Sequence, residues 1–497
     1  MSANLLPKVA SCILDAQGGA ALNFSSKTMQ WDKLLVEKRF HYEHLIGSSD
    51  QNKYIPGFSH DKTSGISNFQ DDIERIIYSS AFRRLQGKTQ VRAFPNSDYM
   101  RNRLTHSIEV SYVGRVLGRL IGSWLKRGKH IPDEFEPGAI GDVVHAACLI
   151  HDLGNPPFGH VGEYAIRAWF TEHKKNSLIS EALKIKEHRH DFELFDGNAQ
   201  AFRIVTQLQN WRHDGGLRLT FPVIGSFMKY PFTATVGKKI YKKQKFGTLM
   251  ADRQDFKTIA EELGLLRRRH EKLDSKNVMY LDYCRHPLSF LSECADDICY
   301  RTTDIEDAVK MGVISFKRGE DLLMNVTISK YRQNYDSIQK DHEPDRISYL
   351  RSAAISSLIE DVVSTFIQKY DQIITGTLDG NLLDYGKYKS NIKDISNTCR
   401  DKIYVERKKL EIEIGGYNII HNLMSAYSDV FESLRTNGDY AIGSRQLALY
   451  ALLPREITSK ASRSPYDLCV QMTDIVSGMT DRYAVTAWKQ IAGYELN

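Results

Sequence analysis

The amino-acid sequence predicts a mainly α-helical protein with one small irregular or β insertion. Apolar residues recur at three- and four-residue steps through most of the chain, whereas the stretch 217–256 lacks this period. Breaks such as Gly154-Asn155-Pro156-Pro157 separate the periodic runs. Of the 497 residues, 42% are hydrophobic and 26% are charged, so the chain can build a substantial core.

The first helices follow an irregular beginning. Residues 1–65 carry polar turns such as "GSSDQNK", and helical periodicity starts at Asn68. A second helix is expected from Thr105 to Lys126 and a third from Ile140 to His151. The second helix has an apolar stripe that we expect to be buried, formed by Ile108, Tyr112, Val113, Val116, Leu117 and Leu120.

The insertion at 217–256 is rich in Gly, Pro, Thr and aromatic residues and contains "KKIYKKQKFG", which predicts a long loop or a short hairpin. Helical periodicity returns at 288–313, at 345–374 and in three segments that end near Ile491. We therefore expect an N-terminal irregular segment (1–65), a central core with a Lys-rich insertion near 217–256 (66–310) and a C-terminal helical region packed on that core (311–497).

Composition excludes several classes of protein. The seven cysteines are dispersed and form no CxxC pair, which favours free thiols over a disulfide framework. No apolar run reaches the roughly 18 residues of a membrane span. The first residues lack a basic start, so we expect a cytoplasmic protein without a signal peptide. The net charge of +6 suits an anionic partner without requiring one.

Histidines and carboxylates at helix ends are candidate metal ligands. His151 and Asp152 end an apolar helix, His106 opens another, and Asp296 lies in "SECADDICYRTTD". Two imidazoles and two carboxylates suit Mn, Fe, Co, Ni or Mg better than a structural zinc ion. Each residue alone is weak evidence, because a single histidine at a helix end is more often structural.

Six stretches together resemble a known family: "SSAFRRLQGKTQV", "RNRLTHSIEVS", "HDLGNPPFGHVGE", "FDGNAQAFRI", "ECADDICYRTTDIEDAV" and "VSGMTDRYA". They are similar to the HD-domain phosphohydrolases and, within them, to the bacterial deoxyguanosinetriphosphate triphosphohydrolases (dGTPases). The resemblance implies a multi-helix HD-domain fold and hydrolysis of dGTP to deoxyguanosine and inorganic triphosphate. It also implies a homo-oligomer, in this family a hexamer, and a divalent metal: Mg²⁺ or Mn²⁺, with Co²⁺, Ni²⁺ or Fe²⁺ as alternatives.

The resemblance implies a metal-ligand set of His106, His151, Asp152 and Asp296. Asp297 is the rival for the last place. The spacing favours Asp296, because Asp296, Tyr300 and Asp304 form one helical stripe. In the family such a stripe carries a ligand followed by two deoxyribose contacts. Asp297 would point about 100° away, as a solvated residue or a polar residue between helices.

The resemblance also implies catalytic and substrate-binding residues. His160 and Glu163 share a face if a helix begins at "FGHVGE", and the family implies that they assist a water attacking the α-phosphorus. Cations must hold a triphosphate. The implied substrate contacts are Gln90, Arg103, Asn198, Lys229, Tyr230, Lys245, Tyr300 and Asp304. For Lys242 and Lys243 a solvated loop or a nucleic-acid contact is the better interpretation.

Other functions stay open on the sequence alone. The chain could be an HD hydrolase with broad dNTP or other phosphoester specificity, or a protein that binds single-stranded DNA through an HD fold. The basic run "LRRRHEKL" (266–273) leaves room for a single-stranded DNA effector, although a solvated helix face is the better interpretation. Glu413 and Arg445 are guesses for residues that read the base.

Overall fold

The computed structural model describes residues 28–40, 67–90, 101–133, 135–210, 215–268, 280–332, 334–338, 342–437, 444–454 and 464–494. Within these ranges helices dominate, and extended pairing is limited to isolated bridges. The mainly α-helical fold class is therefore confirmed. The helices of at least ten residues are α1 (Asn68–Ile77), α2 (Arg103–Arg127), α3 (Pro137–Ile150), α4 (His160–Glu172), α5 (Arg253–Glu262), α6 (Ser289–Lys310), α7 (Glu343–Gln368), α8 (Lys389–Thr398), α9 (Arg407–Asn437), α10 (Pro465–Ser477) and α11 (Asp481–Ala492).

Shorter helical elements connect these helices. The shorter α-helices are Trp31–Leu34, Ser80–Arg84, Ser177–Ala182, Lys186–Glu193, Gly197–Arg203, Phe221–Phe227, Ala234–Val236, Phe316–Met324, Ser329–Arg332, Tyr370–Ile374 and Ser444–Ala451. Single 3₁₀ turns lie at Leu85–Gly87, Met250–Asp252 and Leu382–Asp384, and π turns lie at Ile204–Leu208, Gly237–Tyr241 and Cys399–Ile403.

Local sequence signals explain where the first long helices begin. Ser67 and Gln70 form a capping box at the start of α1, and Asn102 and Thr105 form one at the start of α2. Pro137 occupies the first position of α3, where its missing N–H costs no hydrogen bond. The two predicted helices after α1 thus exist, and each begins two or three residues earlier than expected.

Helices α2 and α3 approach each other very closely in antiparallel register. A Cβ atom on Gly114 would lie 2.5 Å from the Cys148 sulfur, and one on Gly118 would lie 2.7 Å from the Ile140 carbonyl oxygen. Glycine is therefore needed at both positions for the two backbones to pack. This register brings the first turn of α2, with His106, to the end of α3, where His151 lies.

The predicted buried stripe of α2 is partly wrong. Val113 and Leu117 are buried, and Val116 and Leu120 are partly buried against the core. Ile108 and Tyr112 are 47% and 65% exposed. They lie four residues apart on a face that turns away from α3, whereas Gly114, Gly118 and Gly122 face it. Periodicity found the apolar stripe but could not tell which of its edges meets another helix.

Two apolar clusters make up the interior. One joins α2, α3, α6 and α7, and the other joins α4, α9 and α10. Among the residues that the structure describes, no helix combines the length and apolar character that a bilayer crossing requires. The boundary expected at 310 coincides with the end of α6, but the division into domains stays a prediction. Of the segment 1–65, residues 28–40 are described, with Trp31 buried.

The insertion at 217–256 contains short helical turns instead of the loop or hairpin that its composition suggested. Phe221–Phe227 is helical, and Thr233 forms a single parallel bridge with Thr248, a geometry that a hairpin does not have. Phe232 and Phe246 are buried in the apolar cluster of α4, α9 and α10. The aromatic residues thus join the core, while Lys238, Lys242 and Lys243 are exposed.

Candidate active site

A group of histidine and aspartate side chains lies where α2, α3 and α6 converge. The Nε2 atom of His106 is 3.0 Å from Oδ1 of Asp296, and the rings of His106 and His151 are 5.5 Å apart. One ligand atom from each of His106, His151 and Asp296 lies within 4.8 Å of the others. Three rigid helices thus present two imidazoles and a carboxylate to one point.

The His151 ring is fixed in the tautomer that a metal ligand needs. Its Nδ1 atom donates to the Cys148 carbonyl oxygen at 2.6 Å, so Nε2 carries a lone pair. That Nε2 atom is buried without a hydrogen-bond partner, 3.6 Å from Oδ1 of both Asp152 and Asp296. A buried polar atom without a partner is costly. A divalent cation at this point would satisfy it, so the residues fit the metal that an HD site holds.

Asp152 is held in its charged form by its neighbours. It accepts hydrogen bonds from Nη1 of Arg103 at 2.8 Å and from the Asn155 amide at 2.5 Å. Burial alone would raise the pKa of Asp152, but Arg103 and the nearby histidines outweigh it and hold the pKa well below its usual value. The carboxylate is therefore ready to bind a cation at neutral pH.

The cluster opens into a cavity of about 480 Å³, within the usual range for small-molecule sites. Except for His106, which lies behind Asp296, all the sequence-predicted site residues line it. Nine other residues line it, and of these only Asp297 was a candidate from the sequence: Asn155, Gly197, Phe227, Ser289, Ser292, Glu293, Asp297, Tyr404 and Lys409.

The turn between α3 and α4 is strained and well braced. Phe158 and Gly159 both have positive φ, at 63° and 62°, and a Cβ on Gly159 would lie 2.6 Å from Nη2 of Arg103. The carboxylate of Asp481 accepts the Phe158 N–H at 3.0 Å and the Thr89 N–H at 2.9 Å. Asp481 therefore links the turn that precedes His160 to the segment that carries Gln90.

His160 and Glu163 both line the cavity from the first turn of α4, but their surroundings differ. His160 is accessible to solvent there, yet the surrounding protein atoms disfavour its charged form and lower its pKa. Glu163 is buried and accepts hydrogen bonds from the Gly197 N–H at 2.8 Å and from Lys245 at 3.2 Å. The glutamate thus contacts Lys245 rather than the imidazole in this structure.

Lysines surround the cavity, each beside a carboxylate. Lys245 lies 3.1 Å from Asp196, and Lys229 lies 3.0 Å from Glu293. Burial opposes the charge of Lys229, but Glu293 and the other acidic groups around it, among them Asp296 and Asp297, together outweigh burial and raise the lysine pKa. Lys409, from the start of α9, pairs with Glu413 at 2.6 Å. Together with Arg103, which pairs with Asp152, these side chains bring four cations to the cavity lining, each already beside a carboxylate.

Another part of the cavity lining comes from the stripe on α6. Tyr300 and Asp304 both line the cavity, four residues apart on one face of the helix, as their spacing predicts. Asp304 accepts a hydrogen bond from the Tyr404 hydroxyl at 2.7 Å, and burial raises the pKa of Asp304 to about 6. The Oε1 atom of Gln90 is buried without a hydrogen-bond partner, so this amide is free to meet a ligand.

Asp297 lies outside the histidine cluster. It pairs with Arg301 at 3.3 Å and accepts a hydrogen bond from Asn381 at 2.5 Å. It is buried, so of the two interpretations the polar position between elements applies. Burial, the largest effect, raises its pKa to about 6.

Of the residues suggested for base reading, one lines a cavity and the other is exposed. Glu413 lines a small neighbouring cavity of about 90 Å³ together with Gln90 and Lys409, whereas Arg445 is exposed and is not among the lining residues. Lys242 and Lys243 are exposed, as expected of a solvated turn.

Comparison with known proteins agrees with this geometry. The sequence model of the HD domain matches residues 103–218, which hold His106, His151 and Asp152. A deoxyguanosinetriphosphate triphosphohydrolase-like protein of Pseudomonas aeruginosa is 34% identical over 94% of this chain and 99% of its own. The chain belongs to the deoxyguanosinetriphosphate triphosphohydrolase family.

Other members of the family are similarly close. A deoxyguanosinetriphosphate triphosphohydrolase-like protein of Synechocystis is 33% identical over 94% of this chain and its own entire length. A deoxyguanosinetriphosphate triphosphohydrolase of Yersinia pseudotuberculosis is 28% identical over 86% of this chain and 94% of its own. The family resemblance is thus confirmed, and the chain is an HD-domain phosphohydrolase of a metal-dependent class with a nucleotide substrate.

Proposed function

We propose that this family member hydrolyses dGTP to deoxyguanosine and inorganic triphosphate. The observation that carries the proposal is one cavity that holds the histidine–aspartate cluster together with four cations, Arg103, Lys229, Lys245 and Lys409. A triphosphate carries about four negative charges, and these side chains can supply both charge and hydrogen-bond donors to it. Cleavage between the nucleoside and the whole triphosphate follows if the α-phosphate lies at the cluster.

We infer that His106, His151, Asp152 and Asp296 hold a divalent metal, Mg²⁺ or Mn²⁺, with Co²⁺, Ni²⁺ or Fe²⁺ as alternatives. When bound, the metal would acidify a water and offset charge on the α-phosphate. His151 contributes the lone pair of Nε2, and the Arg103 guanidinium keeps Asp152 charged. Arg103 also has an Nε atom that lacks a protein partner, and this group can donate to a phosphate oxygen.

His160 is the proposed proton-transfer group. Its lowered pKa keeps the imidazole neutral near pH 7, so it can accept a proton from the attacking water. Glu163 acts on it electrostatically, because its charge opposes the lowering of the His160 pKa by the surrounding protein. Lys245 would move from Glu163 and Asp196 to the triphosphate when substrate binds, with Asn198 and Tyr230 beside it.

The sugar would lie against the stripe on α6. Tyr300 would occupy the space of a 2′-hydroxyl, and Gln90 and Asp304 would hold the 3′ edge, with Tyr404 fixing Asp304. Glu413 could accept from the guanine amino and imino groups across the small neighbouring cavity. A panel of dGTP, dATP, dCTP, dTTP and GTP, each with Mg²⁺ or Mn²⁺, tests sugar and base choice together. Release of no triphosphate from any dNTP would refute the proposal.

A second candidate function is hydrolysis of all dNTPs at the same site. The position of Glu413 favours it, because this residue lines the neighbouring cavity of about 90 Å³ and already pairs with Lys409 at 2.6 Å. Equal kcat/KM across the four dNTPs in the same panel would support this broader specificity over dGTP alone.

Two partner assignments remain proposals. A homo-oligomer, a hexamer by family resemblance, would cover the exposed Ile108 and Tyr112 of α2. Single-stranded DNA as an effector has less support: in the described part of "LRRRHEKL", Arg267 bridges to Tyr283 and Arg268 donates to Tyr241 and the Gly376 carbonyl. Residues 269–273 of that run lie outside the described residues. The cytoplasmic location also stays a prediction.

A further inference from the structure

A second histidine–carboxylate group lies at the far end of the helix that begins with His160. Glu172 is the last residue of α4, His173 follows it, and His421 projects from α9. One ligand atom from each lies within 4.8 Å of the others. Twelve residues of helix separate Glu172 from His160, a distance of about 18 Å at 1.5 Å per residue. The group is therefore distinct from the histidine–aspartate cluster formed by His106, His151, Asp152 and Asp296.

The His173 ring is prepared for metal binding in the same way as His151. Its Nδ1 atom donates to the Trp169 carbonyl oxygen at 2.9 Å, which leaves the lone pair on Nε2. The ring also stacks on the buried Trp169 at a centroid distance of 4.5 Å and an angle of 16°. Trp169 is tied to α9, because its Nε1 donates to Ser425 at 2.8 Å. The orientation of His173 is thus fixed before any ligand binds.

The other two members are already in contact. The Nε2 atom of His421 lies 2.9 Å from Oε2 of Glu172, and the Tyr417 hydroxyl approaches Oε1 at 3.4 Å. Adjacent ligands of a metal with bonds of about 2.0–2.2 Å lie roughly 3 Å apart, so this pair already has a coordination spacing. A metal would replace the proton that His421 and Glu172 share.

The surroundings favour a cation with room for water. The group sits at the C-terminal end of α4, where the helix dipole favours positive charge. The Glu172 side chain is 54% exposed and that of His421 is 26% exposed, so solvent can complete the coordination. Two imidazoles and one carboxylate select Zn²⁺, Co²⁺ or Ni²⁺ over Mg²⁺ or Ca²⁺, which prefer oxygen ligands.

We propose that Glu172, His173 and His421 form a second transition-metal site that fastens α9 to α4. The consequence reaches the active site, because α4 carries His160 and Glu163 and the start of α9 carries Lys409. The metal would stabilise the packing of the C-terminal helix on the catalytic core. This site does not depend on the nucleotide substrate proposed above.

Zn²⁺ binding by the metal-stripped full-length protein tests the proposal. Equilibrium dialysis and metal analysis would compare the wild type with His421→Gln, Glu172→Gln, His106→Ala and His342→Gln. The matched control is His342, whose Nδ1 lies 2.9 Å from Asp345 in an exposed pair that has no third ligand among the described residues. We expect His421→Gln and Glu172→Gln each to lower the Zn²⁺ affinity of one site per chain by roughly tenfold to a hundredfold or more. Loss of a group that only supports a ligand already costs this much affinity. His342→Gln should bind as the wild type does.

Thermal melting distinguishes Zn²⁺ binding at this site from binding at the histidine–aspartate cluster. Zn²⁺ should still raise the Tm of His106→Ala, and adding His421→Gln to that variant should abolish the rise, because a ligand that binds the folded state stabilises it. Unchanged Zn²⁺ stoichiometry and affinity in His421→Gln, or a Tm rise that survives in the double variant, would overturn the second site. Because no nucleotide is involved, failure here would leave the proposed hydrolysis untouched.

Discussion

The contact between Asp481 and the turn before His160 can be tested with Asp481→Asn. The carboxylate accepts two backbone N–H groups, from Phe158 at 3.0 Å and from Thr89 at 2.9 Å. Asparagine has one oxygen at this position, so one of the two N–H groups would face the NH₂ group of the new side chain. The substitution removes a hydrogen bond without removing volume.

The size of the effect follows from the bond that is lost. A hydrogen bond to a charged group contributes about 1.5–3 kcal/mol to stability. The turn holds two successive residues at positive φ, a conformation that needs support from outside the turn. If this free energy is lost from the turn, the turn conformation that positions His160 becomes roughly 10- to 100-fold less populated, since about 1.4 kcal/mol is a factor of ten. The kcat/KM for dGTP should fall by the same factor.

The assay is steady-state release of triphosphate, together with metal content. Metal binding should be unchanged, because α2, α3 and α6 position the proposed metal ligands and Asp481 contacts none of them. Asp429→Asn is the matched control: it removes one exposed carboxylate from α9 and should stay within about twofold of the wild type. A folded Asp481→Asn protein with wild-type kcat/KM would refute the idea that this contact positions His160.

Three further outcomes are expected. Tyr300→Ala should raise kcat/KM for GTP relative to dGTP by roughly tenfold, because it opens the space of a 2′-hydroxyl; an unchanged ratio in a competition assay would argue against this role. His151→Ala should lose metal and hydrolysis while circular dichroism stays that of a helical protein; full metal retention would contradict the ligand assignment. Burial raises the pKa of Asp191 to about 8, so the native state binds an extra proton between pH 4 and 8 and stability falls as pH rises through that window. Asp191→Asn should flatten this fall in Tm measurements; equal slopes for variant and wild type would exclude it.

Most of the candidate site residues could be predicted because they lie in continuous sequence motifs. His106, His151, Asp152 and Asp296 lie in stretches that resemble the family, and the helical stripe of Asp296, Tyr300 and Asp304 follows from spacing alone. These residues lie at helix ends and on helix faces, where sequence patterns translate directly into position. The structure brings them together around one cavity.

The residues that were missed depend on long-range packing. Tyr404 reaches Asp304 across 100 residues, and Lys409 enters the cavity from a helix that no quoted motif contains. Asp481 belongs to the matched stretch "VSGMTDRYA", but its contact with Phe158 spans 323 residues. Such contacts leave no periodic signal in the sequence.

The errors in the fold have a related cause. Ile108 and Tyr112 belong to a real apolar stripe, but the sequence does not say which edge of it another helix covers. In the insertion, the Gly- and aromatic-rich composition suits a hairpin and a set of buried short turns equally well. Burial of Phe232 and Phe246 in the core decides between them, and burial is a tertiary property.

The position of bond cleavage tests the central claim most directly. The metal-loaded enzyme would hydrolyse dGTP in water enriched in heavy oxygen, and mass spectrometry would follow both products. The proposed attack on the α-phosphorus predicts deoxyguanosine and inorganic triphosphate in equal amounts, with the heavy oxygen in the triphosphate. Formation of dGMP or dGDP, or heavy oxygen in the nucleoside, would contradict it.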